Sequence, residues 1–241
     1  MVLLIAAPFF TMKAQKAMTP QDLQAWKRIT TRAISDDGQW AAAMFSPWKG
    51  DSEVQLWSVD GKAVKTYSPA SEVRFSSSYA LVKKVPADAL MDELKLKKTK
   101  KDKMPMDELI IRNLKNGTEW TIDSLKGYKL AEEGEWLAYQ RTRKDSSLVV
   151  VSLDGTQKYV LPSASAYGFA KEKAALYFVT KEDKDGKKPG MYVWTPETTQ
   201  PVLVKEGKGV FVQPTFDKAG SKLAFLYTDD KKEKDYTMAL W

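Results

Sequence analysis

The residue types that perform hydrolytic or metal chemistry are largely missing from this chain of 241 residues. It contains no histidine and no cysteine, so neither a Ser-His-Asp triad nor a thiolate or imidazole metal site can be built from it. The sequence Gly-x-Ser-x-Gly, which presents the serine of many hydrolases on a sharp turn, does not occur either. We therefore expect no catalytic residue, no metal site and no cofactor in this chain.

Three short segments match chemical motifs only in part. Ser46-Pro47-Trp48-Lys49 has the Ser-x-x-Lys spacing of penicillin-interacting enzymes, but it lies between predicted strands and lacks the companion motifs, which favours a chance match. Asp183-Lys184-Asp185-Gly186 resembles the start of a calcium loop, yet no glutamate closes it, so a solvated turn is the better interpretation. Asn116-Gly117-Thr118 is a glycosylation sequon by pattern, although a hairpin turn explains its Asn-Gly equally well.

The net charge of +7 comes from 38 basic residues mixed with 31 acidic ones. Such a diffuse lysine excess indicates solubility, and no basic helix or arginine stripe of the kind that binds nucleic acid is present. We therefore expect no nucleic-acid partner.

The N-terminus has the features of an export signal. Residues 2–10 form an apolar run that is too short to span a bilayer but has the length of a signal-peptide core. Cleavage near Ala14 would make residues 1–14 a signal peptide; because it lacks a charged start, either the start is truncated or Met1 is a miscalled initiator. A buried N-terminal strand is the alternative. The signal interpretation predicts an exported protein, periplasmic or secreted, without a stable membrane span after cleavage. A short helical segment is predicted at 20–26, with Thr19 as its N-cap.

The elements that follow are repeated. An apolar end, an acidic turn with glycine and an aromatic-led strand occur at 33–44, 130–139 and 215–225, and in degenerate form at 73–82 and 168–179. The spacing of Gly134 and Gly220 corresponds to two repeats of about 43 residues. The carboxylates of Glu132, Glu133 and Glu135 fall in one of these turns, so we expect them to be exposed.

A second alternating strand pattern follows each copy. It ends in Asp-Gly or Asn-Gly at 54–61, 109–117 and 148–155, and it recurs at 191–196. These dipeptides favour hairpins, because both central residues of a type I′ turn need positive φ. Two hairpins in each repeat give four antiparallel strands, the composition of one β-propeller blade. A β-sandwich is the alternative fold.

The predicted fold is therefore all-β, an open propeller of about four and a half blades in a domain at 15–241. The repeats are expected at 28–72, 73–127, 128–165, 166–207 and 208–241. A charged loop joins the second and third strands of each repeat, and in the second repeat it expands to an inserted loop at 83–107. The lysine run at 95–103 within that loop predicts a mobile segment or a solvated helix. Because the last strand pattern breaks off at Trp241, we expect this chain to have been cut from a longer protein.

Large aromatic side chains occupy strand positions of the repeats. Core packing between blades is their predicted role, and ligand stacking is the alternative. They are Trp40, Trp57, Trp136, Tyr139 and Trp194.

Several of these segments together resemble the N-terminal region of exported bacterial serine peptidases of the prolyl oligopeptidase and dipeptidyl-peptidase family. They are Met18 to Leu23, Arg28-Ile29, Ile34 to Ala42, and the lysine-rich insertion that closes with Lys103 to Leu109. In that family, a propeller precedes an α/β-hydrolase domain and filters peptides by size or holds their amino terminus with carboxylates.

The resemblance implies a non-catalytic, substrate-gating propeller whose catalytic serine, aspartate and histidine lie outside this chain. Peptide would then reach the protein through that catalytic domain. Asp92 and Glu93, in the expanded loop, are the candidates for substrate binding. The alternative function is an envelope propeller that binds other proteins and has no enzymatic activity.

Overall fold

The computed structural model describes residues 18–19, 22, 26–61, 63–142, 146–181, 188–198, 200–230, 232 and 235–241. The predicted signal peptide, most of the predicted helical segment at 20–26 and the Asp183 to Gly186 motif lie outside these residues. Within them, no helix is both long and apolar enough to cross a membrane.

The described chain forms four antiparallel sheets in sequence order. Blade 1 consists of β1 (Lys27–Ile34), β2 (Trp40–Pro47), β3 (Glu53–Ser58) and β4 (Ala63–Tyr67). The seven-stranded second sheet holds β5 (Ala70–Ser76), β6 (Tyr79–Lys84), β7 (Asp107–Asn113), β8 (Glu119–Leu130), β9 (Trp136–Arg141), β10 (Leu148–Ser152) and β11 (Lys158–Leu161). Blade 4 consists of β12 (Ala164–Phe169), β13 (Leu176–Thr180), β14 (Gly190–Trp194) and β15 (Val202–Glu206). The last sheet holds β16 (Val210–Phe216), β17 (Leu223–Thr228) and β18 (Thr237–Leu240).

The seven-stranded sheet is two blades joined by one strand. The first part of β8 pairs with β7, with Ile111 opposite Trp120, and completes blade 2. From Leu125, which lies opposite Arg141, β8 pairs with β9 and becomes the first strand of blade 3. Ser124 has a φ of 54° at the transition, so the strand turns there without a loop. Four complete blades and three strands of a fifth are thus described, and the predicted all-β propeller fold is confirmed.

The hairpin turns follow from local chemistry. In the β10–β11 turn, Gly155 has a φ of 75°, a region that a residue without Cβ enters at little cost. The carboxylate of Asp154 accepts the amide N–H of Thr156 at 3.0 Å and fixes the turn. The hydroxyl of Ser152 also donates to Asp154.

The core lies between consecutive blades, because each sheet buries its apolar faces against its neighbours. Blades 1 and 2 meet around Leu56 and Val82, and blades 2 and 3 around Ile111 and Leu137. Blades 3 and 4 meet around a larger aromatic cluster that contains Trp194. The last interface, between blades 4 and 5, holds Met191, Val193 and Phe225 among its buried residues.

The two ends of the blades differ. Tight turns join the first to the second strand and the third to the fourth, and we call this end the turn face. The loops between the second and third strands and the links between blades lie at the other end, which we call the loop face. The inserted segment between β6 and β7 therefore lies on the loop face; it contains helix α1 (Asp88–Leu96) and a short 3-10 helix at Lys101–Lys103.

Candidate functional site

Asp92 and Glu93 lie on α1, which stands on the loop face and buries none of its residues. The helix begins beside blade 1, where the amide N–H of Asp88 donates to Oδ1 of Asp51 at 2.8 Å. The side chains of Asp92 and Glu93 are 62% and 57% exposed. Both candidates for substrate binding are therefore accessible from solvent.

The cationic neighbours of these two carboxylates come from the same helix. Lys95 Nζ lies 3.5 Å from Asp92, and Lys97 Nζ lies 2.5 Å from Glu93. Exposed pairs at i,i+3 and i,i+4 are weak, typically about 0.3–0.5 kcal/mol, so an incoming ammonium group can replace the lysines at little cost. We call these two consecutive, exposed carboxylates of α1 the acidic pair.

The Ser46 to Lys49 motif does not form a catalytic arrangement in the described structure. Ser46 lies within β2, and its hydroxyl accepts a hydrogen bond from Ser52 at 2.9 Å. Thr30 Oγ1 lies 3.1 Å from the same hydroxyl. Lys49 follows in an exposed loop. The serine is held by two other hydroxyls, which do not activate it as a nucleophile.

The acidic residues of the β8–β9 turn lie on the turn face. Glu132 and Glu133 are exposed, and Glu135 is half-buried. With Asp36 and Asp37 of the β1–β2 turn they border a cleft of about 380 Å³. No group of three or more acidic side chains among the described residues is placed to hold a metal ion.

The strand aromatics divide into core and surface positions. Trp136, Tyr139 and Trp194 are buried, with the ring centroids of Trp136 and Trp194 5.3 Å apart in the interface of blades 3 and 4. Trp40 packs at the edge of the interface of blades 1 and 2. Trp57 instead contacts Phe45, at 6.0 Å between centroids, on the opposite side of blade 1. Packing between described blades therefore accounts for four of these aromatics but not for Trp57.

A cleft of about 650 Å³ lies where the first strands of blades 3, 4 and 5 approach each other at the turn face. Tyr167 and Phe169 of β12, Tyr177 of β13 and Phe216 of β16 form aromatic walls. Tyr177 and Phe216 lie 6.0 Å apart between ring centroids. We call this the interblade cleft.

Glycine 168 shapes one wall of the interblade cleft. A Cβ at this position would lie 3.0 Å from the hydroxyl oxygen of Tyr177, so any larger residue would displace that ring. Burial raises the pKa of Tyr167 to about 12 and raises that of Tyr177. Both hydroxyls therefore remain protonated at neutral pH and available as hydrogen-bond donors.

Lysine side chains stand around the interblade cleft. Lys129 and Lys171 are exposed and form no ion pair with any described residue, whereas Lys218 lies 2.9 Å from Glu172. Aromatic walls with adjacent cations suit a peptide segment that has both apolar and polar groups. Sequence reasoning missed this cleft; the signal in the sequence is the Tyr167-x-Phe169 alternation, which places both side chains on one face of β12.

Comparisons with known proteins show the fold but not a family. No protein-family model matches the sequence, and no curated protein matches it. A eukaryotic initiation factor aligns with a TM-score of 0.54 and 12% identity over 89% of this chain and 53% of that chain. The β-propeller domain of the Trilobed protease from Pyrococcus furiosus aligns with a TM-score of 0.48 and 10% identity over 89% of this chain and 69% of that chain. A prolyl endopeptidase aligns with a TM-score of 0.49 and 14% identity over 83% of this chain and 32% of that chain.

The chain therefore spans about half the length of the initiation factor that it matches. At 12% identity this likeness shows the fold alone. The two protease likenesses, at TM-scores of 0.48 and 0.49, add nothing to it.

Proposed function

We propose that this chain is the non-catalytic, substrate-gating β-propeller part of an exported serine peptidase of the prolyl oligopeptidase family. The chain has no histidine, so the catalytic triad must be supplied from outside these 241 residues. The sequence resemblance at Ile34 to Ala42 and at the lysine-rich insertion supports the choice of family, and the propeller fold agrees with it.

The interblade cleft is the structural observation that carries the proposal. It opens beside the first strands of three blades, and in a propeller the blades surround a central channel. These strands keep many residues exposed, as at Ser165 and Ala166 of β12, whereas β9 in the middle of blade 3 buries almost every residue. A peptide at the centre of the arc would meet the aromatic walls of the cleft and two tyrosine hydroxyls.

The acidic pair on α1 is a separate candidate contact, because it lies on the loop face, at the other end of the blades from the interblade cleft. A free amino terminus is a compact cation, and two adjacent exposed carboxylates attract it. We propose that Asp92 and Glu93 bind the amino terminus of the substrate.

The first test is to determine the coding sequence beyond the codon for Trp241 in the source genome. Further blades followed by Gly-x-Ser-x-Gly, and then by Asp and His in that order, are expected. A sequence that closes the propeller and then stops would overturn the peptidase function and support an envelope propeller that binds other proteins.

The gating role is tested on the complete protein. Tyr167→Ala with Phe216→Ala widens the interblade cleft and is expected to change the ratio of kcat/KM for long and short peptides while retaining activity. Val160→Ala, at an exposed position on the outer strand β11, is the matched control. An unchanged ratio in the double variant would contradict gating at this cleft without contradicting the peptidase assignment.

A further inference from the structure

The loop face of blades 1 and 2 exposes large apolar side chains beside the lysine run at 95–103, which begins in the last turn of α1. Trp26 is 66% exposed and Trp48 is 85% exposed, and together with Arg28 they border an open cleft of about 410 Å³. Leu96, the last residue of α1, is 84% exposed. Neither the interblade cleft nor the acidic pair on α1 requires these apolar side chains.

Six lysines lie in the nine residues from 95 to 103, with Asp102 as the single acid. Two of them pair with acidic residues of α1, but no described acidic side chain pairs with Lys98, Lys100 or Lys103. The run therefore places positive charge that no described acid pairs with on the loop face, at Lys98, Lys100 and Lys103.

The structure holds these two features on the same face. Trp26 precedes β1 and Trp48 follows β2, so both lie at the loop-face end of blade 1. Asp51, three residues after Trp48, anchors the first turn of α1 through the 2.8 Å hydrogen bond from Asp88. We call Trp26, Trp48, Leu96 and the six lysines the tryptophan–lysine surface.

We propose that the tryptophan–lysine surface binds the headgroup region of an anionic lipid bilayer. Tryptophan is the side chain that concentrates at membrane–water interfaces, because its ring is amphipathic. Lysines attract the surface charge of anionic lipids, and apolar side chains beside them enter the headgroup region. This combination would orient the loop face of blades 1 and 2 toward the membrane.

The residue types favour a lipid surface over an acidic protein. Protein interfaces are enriched in arginine and depleted in lysine, and the run at 95–103 contains lysines and no arginine. Arginine binds carboxylates through a rigid planar fork, whereas lysine acts as a mobile point charge, which suits the diffuse charge of a bilayer.

Sedimentation of the 241-residue chain with lipid vesicles tests the proposal. We expect binding to vesicles in which about a third of the lipid is phosphatidylglycerol, no binding to pure phosphatidylcholine, and weaker binding as the salt concentration rises. Replacing Lys98, Lys100 and Lys103 by glutamine should weaken vesicle binding on the order of a hundredfold in total, because each lysine near the membrane surface strengthens binding by about tenfold or less. Trp48→Ala should also weaken it, while circular dichroism shows both variants folded.

A matched control removes the same charge from the turn face. Lys115, Lys171 and Lys222 lie in tight turns there, and their replacement by glutamine should leave vesicle binding within about twofold of the parent. Equal losses in both triple variants, or no binding to the phosphatidylglycerol vesicles, would overturn the proposal. Binding to poly-glutamate but not to the vesicles would overturn it in favour of an acidic protein partner.

Discussion

The hydroxyl of Tyr67 donates a 2.7 Å hydrogen bond to Oε1 of Glu119, and this bond joins the outer edges of blades 1 and 2. Tyr67 ends β4 and Glu119 begins β8, each the outermost strand of its blade. Arg112 Nη1 donates to the same oxygen at 2.6 Å. One carboxylate therefore connects the outer edges of two blades whose buried interface is apolar.

Tyr67→Phe is expected to lower the free energy of unfolding by about 1–2 kcal/mol, because it removes a hydrogen bond to a charged group at a buried side chain. Urea titration of the parent and the variant measures the change. Tyr177→Phe is the control, since the Tyr177 hydroxyl has no hydrogen bond to a described group; its effect should stay within about 0.5 kcal/mol. Equal losses in the two variants would show that the bond to Glu119 contributes nothing.

The same carboxylate makes stability depend on pH. Burial by itself would raise the pKa of Glu119, but the hydrogen bonds from Tyr67 and Arg112 outweigh it, and the net effect is a lowered pKa. Because this pKa is lowered in the folded state, ionised Glu119 stabilises the protein at pH values above its ordinary pKa of 4.5. The stabilisation is lost as the pH falls through the pKa of the folded state. We expect Glu119→Gln to cost about 1–2 kcal/mol at about pH 7 and progressively less below about pH 4.5. A cost that does not change between these pH values would contradict this linkage.

Gly38 and Gly220 form a matched pair for testing how turns set blade spacing. Their φ values of 67° and 65° impose the same backbone cost on alanine, about 1–2 kcal/mol. A Cβ at Gly38 would meet no atom within 4 Å, whereas one at Gly220 would lie 2.9 Å from the Cβ of Lys173 and 3.1 Å from that of Ala170, in the β12–β13 turn of blade 4. Gly220→Ala should therefore destabilise the protein more than Gly38→Ala by about 1–2 kcal/mol, measured by denaturant unfolding. Equal costs would mean that the turn of blade 5 moves freely away from blade 4.

Two tryptophans separate core packing from surface exposure. Trp194 is fully buried beside Trp136 and Tyr159, so Trp194→Ala should cost about 3–5 kcal/mol. Trp48→Ala, at a side chain that is 85% exposed, should change the unfolding free energy by less than about 0.5 kcal/mol. Thermal unfolding of both variants tests this. A small loss of unfolding free energy for Trp194→Ala would show that the interface of blades 3 and 4 contributes little to the stability of the fold.

Asp92 and Glu93 are tested in the complete protein. Asp92→Asn with Glu93→Gln should raise KM for peptides with a free amino terminus, because two exposed carboxylates that attract the ammonium group are lost. Peptides with a blocked amino terminus should be cleaved as before. Glu133→Gln, on the turn face, is the control. An unchanged KM for peptides with a free amino terminus would show that Asp92 and Glu93 do not bind substrate. The peptidase assignment would then still be tested by the coding sequence beyond Trp241.

The fold could be predicted because its signals are local. An Asp-Gly turn such as that at Gly155, and alternation such as buried Val54 and Leu56 in β3, each occupy a few consecutive residues and recur with the blade. The course of β8 was not predictable in this way. Its switch between blades occurs at Ser124, which adopts positive φ without the glycine that usually marks such a position.

The candidate site was harder to predict, because it depends on distant residues. Tyr167, Tyr177 and Phe216 come from three strands and two blades, and nothing in the chain near any one of them indicates the others. Asp92 and Glu93 could be proposed from the expanded loop alone, but their pairing with Lys95 and Lys97 required the helix. Whether they bind substrate stays a prediction.

The continuous strand β8 also bears on how such an arc can change during evolution. Blades 1 and 2 are joined by the link at 68–69, blades 3 and 4 by that at 162–163, and blades 4 and 5 by that at 207–209. Recombination at these links would exchange whole sheets and leave every hydrogen-bonded ladder intact. A crossover between blades 2 and 3 has no such link to use and would have to cut β8 beside Leu125, which pairs with both Asp107 of β7 and Arg141 of β9. Duplication or deletion at the described links would therefore move blade 4 singly, whereas it would move blades 2 and 3 together.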